Sequence, residues 1–161
     1  MSNEFDTWDE PYLEDAPTYT LHSAKGVVWG TFIGSPLAAG VLLAINYWRL
    51  GKTTAAQITF ALFAVGTAAF FALVYAMPDD LNIPNVVFTI PQLFMVYGVT
   101  NLLQADDIRA HIRNGGKLAS AWAAVGIGVL CLIPVLGGIF GFVYLEEQSF
   151  GTVVKFGNDE V

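Results

Sequence analysis

The chain has 161 residues, of which 55% are hydrophobic and 13% are charged. Soluble globular domains carry about 25% charged residues, so this composition excludes an ordinary soluble domain. The net charge of -7 is unsuited to binding nucleic acid or to gripping anionic lipid through a basic patch. We therefore expect a membrane protein whose partners include lipid and exclude nucleic acid.

Residues 1–23 form an acidic N-terminal tail without a basic stretch or an apolar core. A secretory signal peptide has both of these features, so we expect the first span to be retained. Aromatic residues punctuate the acidic stretch at Trp8, Tyr12 and Tyr19. This pattern fits either a solvated linker or a short segment that binds a partner.

Four long blocks contain no Asp, Glu, Lys, Arg or His: residues 27–48, 58–77, 86–103 and 118–145. Each is near or above the roughly 18 residues that a membrane-spanning helix needs. The sequence therefore predicts an all-α polytopic membrane protein. Its four transmembrane helices occupy residues 24–145, between the acidic tail and a polar C-terminal tail at 146–161.

Small residues recur every four positions along one face of the first predicted span, at Gly26, Gly30, Gly34 and Ala38. Gly137 and Gly141 repeat the spacing in the fourth span. Helices in lipid associate by close backbone packing, which small residues permit. These faces are predicted to pack against other helices of this chain, or against a second copy or another membrane protein.

The spans offer little chemistry, because they contain no Asp, Glu, Lys, Arg or His, and the single cysteine, Cys131, lies within one of them. His22 and His111 flank the spans, on opposite sides of the membrane in the topology that we predict, where they cannot share a metal ion. Catalysis needs titratable or metal-binding groups in a sheltered site. We therefore expect no catalytic residue, no metal and no cofactor, and a protein that is not an enzyme.

Proline residues interrupt three of the spans, at Pro36, Pro91 and Pro134, and each is predicted to kink its helix. Kinked helices can open a polar path through a bundle. Uncharged polar side chains that could line such a path are Thr89, Gln92 and Asn101.

The few basic residues predict an orientation. Five of the seven lie in the segments after the first and third spans, and short basic loops stay in the cytoplasm. Loops 49–57 and 104–118 are therefore predicted to be cytoplasmic. Both termini are then expected on the periplasmic or extracellular side.

Three segments resemble a group of small, uncharacterised bacterial inner-membrane proteins with four helices: FIGSPLAAGVLLAINYWRLGK, LLQADDIRAHIRNGG and ASAWAAVGIGVL. The shared features fall on Gly34–Pro36, Asn46–Gly51, Gly115–Gly116 and Ser120–Trp122. The resemblance covers most of the membrane region and neither tail. It implies a bacterial inner membrane and a four-helix layout, and it implies no reaction.

Two classes of function remain open at this point. One is a non-catalytic interaction protein, either an accessory subunit of a membrane complex or an immunity protein that protects the membrane from a toxin. The other is a passive channel or an uncoupled small-molecule carrier. The small-residue faces and the acidic tail favour the first class, and the polar residues beside the prolines favour the second.

Overall fold

The structure, a computed structural model, describes residues 16–78, 83–84 and 86–157, with side chains through Gln148. Four helices follow one another: α1 (Ala24–Arg49), α2 (Thr53–Tyr75), α3 (Val86–Arg113) and α4 (Ala121–Gly157). Each is long and apolar enough to cross a membrane, which confirms the predicted all-α fold class. Helix α4 continues into the predicted polar tail.

Helix α1 folds back on itself, and its two ends meet. A straight helix of 26 residues would hold its ends about 39 Å apart. Instead, the backbone nitrogen of His22 lies 2.7 Å from Oδ1 of Asn46. Helical dihedral angles are lost midway, at Gly34 and Ser35. Helix α1 is therefore a hairpin of two antiparallel halves.

The reversal in α1 depends on Gly34, Ser35 and Pro36, at the boundary between its first half (24–33) and its second (36–49). Ser35 has φ of 69° and ψ of 178°, a conformation that suits glycine and costs other residues about 1–3 kcal/mol. Pro36 then starts the second half, where its missing N–H is not needed and its fixed φ suits a helix start. The kink predicted at Pro36 is thus a complete change of direction.

The hairpin is the centre of the bundle, because α2, α3 and α4 each pack more closely against it than against one another. Its second half contributes Leu42 and Leu43 to the core, where they meet Val96 of α3 and Ala124 of α4. In the same half, Gly40 lies against the side chain of Phe63 in α2. The three remaining helices therefore surround the hairpin.

Both ends of α1 lie at the same end of the bundle as the α3–α4 connection, and we call this the loop end. Strand β1 (Thr20–Leu21) pairs in parallel with strand β2 (Lys117–Leu118). A guanidinium nitrogen of Arg49 donates to the carbonyl oxygen of Thr20 at 2.6 Å. The chain before α1 is thus tied to both connections.

This arrangement corrects one part of the predicted topology. The sequence analysis put the N-terminal segment on the opposite side from loops 49–57 and 104–118, but residues 16–23 lie beside them. The prediction was wrong because it counted α1 as one straight crossing. The turn at Ser35 returns the chain to the end where α1 begins.

The opposite end of the bundle, which we call the far end, is formed by α2, α3 and α4. The hairpin does not reach it, because Gly34 at its turn lies against Gly128, only seven residues into α4. Beyond the turn, the ring of Phe70 in α2 meets that of Phe88 in α3 with centroids 6.1 Å apart. The half of the bundle between the turn and the far end is therefore built from α2, α3 and α4 without the hairpin.

Candidate functional site

A buried polar cluster closes the loop end. The side-chain amide of Asn46 accepts from the backbone N–H of His22 at 2.7 Å and donates to the carbonyl oxygen of His22 at 2.9 Å. It also donates to Oε1 of Gln104 in α3 at 2.9 Å. Asn46 therefore binds the segment before α1 as a neighbouring strand would, through both backbone groups of one residue.

Gln104 completes the cluster from α3. Its Nε2 donates to the carbonyl oxygen of Leu43 at 2.9 Å, while its Oε1 accepts from Asn46. Asn46 and Gln104 are both fully buried. Because buried amides are costly unless they are paired, these bonds fix the second half of α1 against α3 in one register.

The side chain of His22 lies beside this cluster and is 2% exposed. Its Nδ1 is buried and has no hydrogen-bond partner among the described residues. Burial, and to a lesser degree the nearby Arg49 guanidinium, lowers the pKa of His22 from 6.5 to about 4. The ring is therefore neutral at pH 7, and its protonation would oppose closure of the loop end.

His111 anchors the α3–α4 connection in a similar way. Its Nε2 lies 3.1 Å from the carbonyl oxygen of Lys117, and its ring stacks on Tyr19 with centroids 4.9 Å apart. A Cβ at Gly116 would overlap the imidazole, so the glycine makes room for it. Tyr19, predicted as a partner-binding residue, is thus packed on its own chain.

The same contacts bring the two histidines to one end of the bundle, whereas the sequence analysis separated them across the membrane. The cause is again the reversal within α1. In the part of the chain that the structure describes, no group of three or more His, Cys, Asp or Glu side chains could hold a metal ion. The geometry of the polar cluster is that of a structural tie between segments.

Three of the predicted small residues, Gly26, Gly30 and Gly34, pack against α4. Gly26 lies beside Ala124, and a Cβ at Gly30 would come within 2.8 Å of the carbonyl oxygen of Ala124. A Cβ at Gly34 would overlap the backbone of Gly128, while Ala38 is fully buried in the second half of α1. The described face is therefore used within the chain.

Gly137 and Gly141 have different surroundings, although they repeat the same spacing. No atom lies within 4 Å of a Cβ built at either position, apart from the helix itself. Both residues are exposed on α4, in its half nearer the far end. The partner of the α1 glycines is the Ala124–Gly128 region, which the sequence analysis did not single out.

A cavity of about 630 Å³ lies between α2 and α3 beside the hairpin turn. Pro36, at the turn, forms part of its wall. The other lining residues are Leu62, Phe63, Gly66, Phe70, Val87, Phe88, Pro91, Gln92 and Met95. Gln92 supplies the one hydrophilic side chain of this lining, so the cavity is suited to apolar matter.

The three polar residues predicted to line a path do not come together. Gln92 lines the cavity, whereas Thr89 is half-buried on α3 outside that lining. Asn101 is exposed and donates to the carbonyl oxygen of Tyr97 on its own helix at 2.8 Å. Trp8 and Tyr12 of the predicted partner-binding tail lie outside the described residues.

The sequence analysis assigned no role to the amides of Asn46 and Gln104. One signal could have indicated their burial. Each amide lies among apolar residues at helical spacing, which places it on a helix face that is expected to be buried.

Comparison of the chain with protein-family models, with curated proteins and with solved structures finds no match. The fold and these contacts define a multi-pass helical membrane protein.

Proposed function

We propose that the chain is a non-catalytic protein of a bacterial inner membrane that acts as an accessory subunit of a membrane complex. An immunity protein, which would protect the membrane by binding a toxin there, belongs to the same class. In either case the working surface is the half of α4 nearer the far end, and its partner is another membrane protein or a second copy of this chain.

One observation carries this proposal: Gly137 and Gly141 lie on an exposed helix face with open space around them. Small residues are enriched where transmembrane helices approach closely, because they let backbones meet. The glycines of α1 have such a neighbour in α4. The glycines of α4 have the same spacing and no such neighbour in the described part of the chain.

The polar groups of the loop end support a non-catalytic role. The side chains of Asn46 and Gln104 form hydrogen bonds with backbone groups and with each other. Polar side chains engaged in this way hold segments together and offer no free group to a substrate. The predicted channel is less well supported, because Gln92 lines the cavity without Thr89 or Asn101.

We also infer the orientation from the charges. Because α1 reverses, the loop end gathers all the basic side chains that the structure describes: Lys25, Arg49, Lys52, Arg109, Arg113 and Lys117. Short basic segments remain in the cytoplasm. The loop end, including residues 16–23, is then cytoplasmic, and α4 carries the chain to the periplasmic side.

Single cysteines test this orientation in intact cells. In a Cys131→Ala background, Thr18→Cys and Asn114→Cys place thiols at exposed positions of the loop end, and Pro78→Cys places one after α2. We expect a membrane-impermeant maleimide to label position 78 before lysis and positions 18 and 114 only after it. Labelling of 18 together with 78 in intact cells would contradict the inferred topology.

Site-specific crosslinking tests the interaction. A photoreactive amino acid at Gly137 or Gly141 should form an adduct of discrete mass with a protein in native membranes. The same group at Trp122, which is 82% exposed on the loop-end half of α4, is the control and should capture lipid. An adduct of twice the chain mass identifies a second copy. Lipid adducts alone at all three positions would refute the proposal.

A further inference from the structure

We propose that the cavity between α2 and α3 binds a single hydrocarbon chain of a membrane lipid. Its volume of about 630 Å³ lies within the roughly 300–1,000 Å³ of pockets that bury small ligands. This binding site is separate from the α4 face assigned to a protein partner. The proposal of a lipid-binding site therefore does not depend on the proposed function.

The chemistry of the lining selects an apolar occupant. Phe63, Phe70 and Phe88 supply aromatic walls, and the single amide of Gln92 is the one hydrophilic side chain among the lining residues. Water needs two to four polar partners to remain in a cavity, so water is a poor occupant. If the space were empty, the lining side chains would lack dispersion contacts on the side that faces it.

The shape of the cavity favours a chain over a helix. The rings of Phe70 and Phe88 meet across it, with centroids 6.1 Å apart. A helix with its side chains is about 10 Å across, and it could not enter between α2 and α3 without breaking this contact. An extended hydrocarbon chain is much thinner and can lie beside the two rings.

The position of the cavity determines where a lipid chain can enter it. Leu62 and Met95 of the lining are 67% and 57% exposed, so the cavity opens on the lipid-facing surface of the bundle. Pro36 places the hairpin turn in the wall of the cavity. A lipid chain would enter from the lipid-facing side and lie against the turn.

Gly66 makes the site testable, because a Cβ there meets no atom within 4 Å and the residue lines the cavity. The series Gly66→Ala, Gly66→Val and Gly66→Leu fills the cavity in steps. Gly126→Leu is the matched control: that glycine also faces open space and lies on α4, away from the cavity lining.

The probes are a fatty acid and a phosphatidylcholine that each carry a photoactivatable diazirine in the acyl chain, in vesicles of otherwise unlabelled phosphatidylcholine. We expect adducts concentrated on Phe70, Phe88 and Met95 in the full-length protein. Gly66→Leu should reduce them by roughly tenfold, which corresponds to about 1.4 kcal/mol of binding free energy. Gly66→Ala should reduce them less, and Gly126→Leu should leave them unchanged.

The two probes identify the source of the chain. Adducts from both probes indicate a phospholipid tail, and adducts from the fatty acid alone indicate a free fatty acid. Gln92→Leu should preserve labelling, since a hydrocarbon chain needs no amide. Labelling spread evenly over the lipid-facing residues, labelling insensitive to the Gly66 series in variants that keep their thermal melting, or loss of labelling in Gln92→Leu would each overturn the proposal.

Discussion

The two glycine rows of this protein share a spacing and differ in everything around them. In the loop-end half, Gly30 and Gly34 meet the backbone of α4 so closely that an added Cβ would collide with it. In the half nearer the far end, Gly137 and Gly141 meet nothing within 4 Å. The comparison teaches that a small-residue row indicates a capacity for close packing, while the neighbouring segment decides whether that capacity is used.

Hydrogen bonding separates the two halves in the same way. The loop-end half buries Asn46 and Gln104 in bonds that join three segments distant in sequence. The half nearer the far end contains an apolar cavity and exposed helix faces. We therefore expect the loop-end half to determine the stability of the chain and the other half to determine what binds to it.

The largest expected effect comes from replacing one glycine with alanine, and the same replacement in the other glycine row is its comparison. Gly34→Ala places a Cβ into the backbone of Gly128, and we expect it to lower the free energy of unfolding by about 3 kcal/mol, as severe overpacking does. Gly137→Ala is the matched change in open space and should raise it by up to about 1 kcal/mol through helix propensity. Unfolding titrations with dodecyl sulfate in mild detergent measure both. Effects of the same sign would contradict the comparison.

The second prediction concerns pH and the loop end. The pKa of His22 is about 4 in the folded protein and 6.5 as the ordinary value, so the unfolded chain takes up the proton first. The free energy of unfolding is therefore unaffected by His22 above pH 6.5. It decreases as the pH drops from 6.5 towards 4, by at most about 1.4 kcal/mol for each pH unit.

The control for this prediction is His22→Leu, which removes the titrating ring and keeps the backbone bonds to Asn46. The same unfolding titrations between pH 4 and 7 should show a flatter profile for this variant than for the unaltered protein. If both chains lose stability in parallel over that range, another group is responsible.

The third prediction compares two asparagines. Asn46→Leu leaves the backbone N–H and carbonyl of His22 and Oε1 of Gln104 without the partner that Asn46 provides, and we expect a loss of about 2 kcal/mol. Asn101→Leu removes an exposed amide that bonds only to Tyr97 on its own helix among the described residues, so its effect should be within about 0.5 kcal/mol. Hydrogen exchange of the loop-end amides would locate the change, and protection lost equally in both variants would contradict the assignment.

The sequence predicted the four helices well, because an uncharged block of about 20 apolar residues has few alternatives to a membrane helix. It also identified the glycine face of α1. It did not predict the hairpin, since hydropathy is the same for one crossing and for two half-crossings. The motif Gly34-Ser35-Pro36 carried the information, because proline can either kink a helix or start one.

The candidate site was less predictable. Asn46 bonds to Gln104, 58 positions away, and to the backbone of His22. The second contact depends on the reversal at Ser35, which brings the end of α1 beside the segment before α1. Once α1 was taken as straight, His22 was placed on the opposite side of the membrane from Asn46 and Gln104. The cavity has the same origin, since it is the space that the short hairpin leaves between α2 and α3.

The smallest expected effect tests the turn that produces the difference between the halves. Ser35 adopts φ of 69°, which glycine adopts readily, and its buried Oγ has no hydrogen-bond partner among the described residues. Ser35→Ala removes the hydroxyl and keeps the backbone strain, whereas Ser35→Gly removes both. We expect Ser35→Gly to be more stable than Ser35→Ala by about 1 kcal/mol, measured in the same unfolding titrations. If glycine proves no better than alanine here, the reversal of α1 at this residue is not the native conformation, and the two halves of the bundle would have to be redrawn.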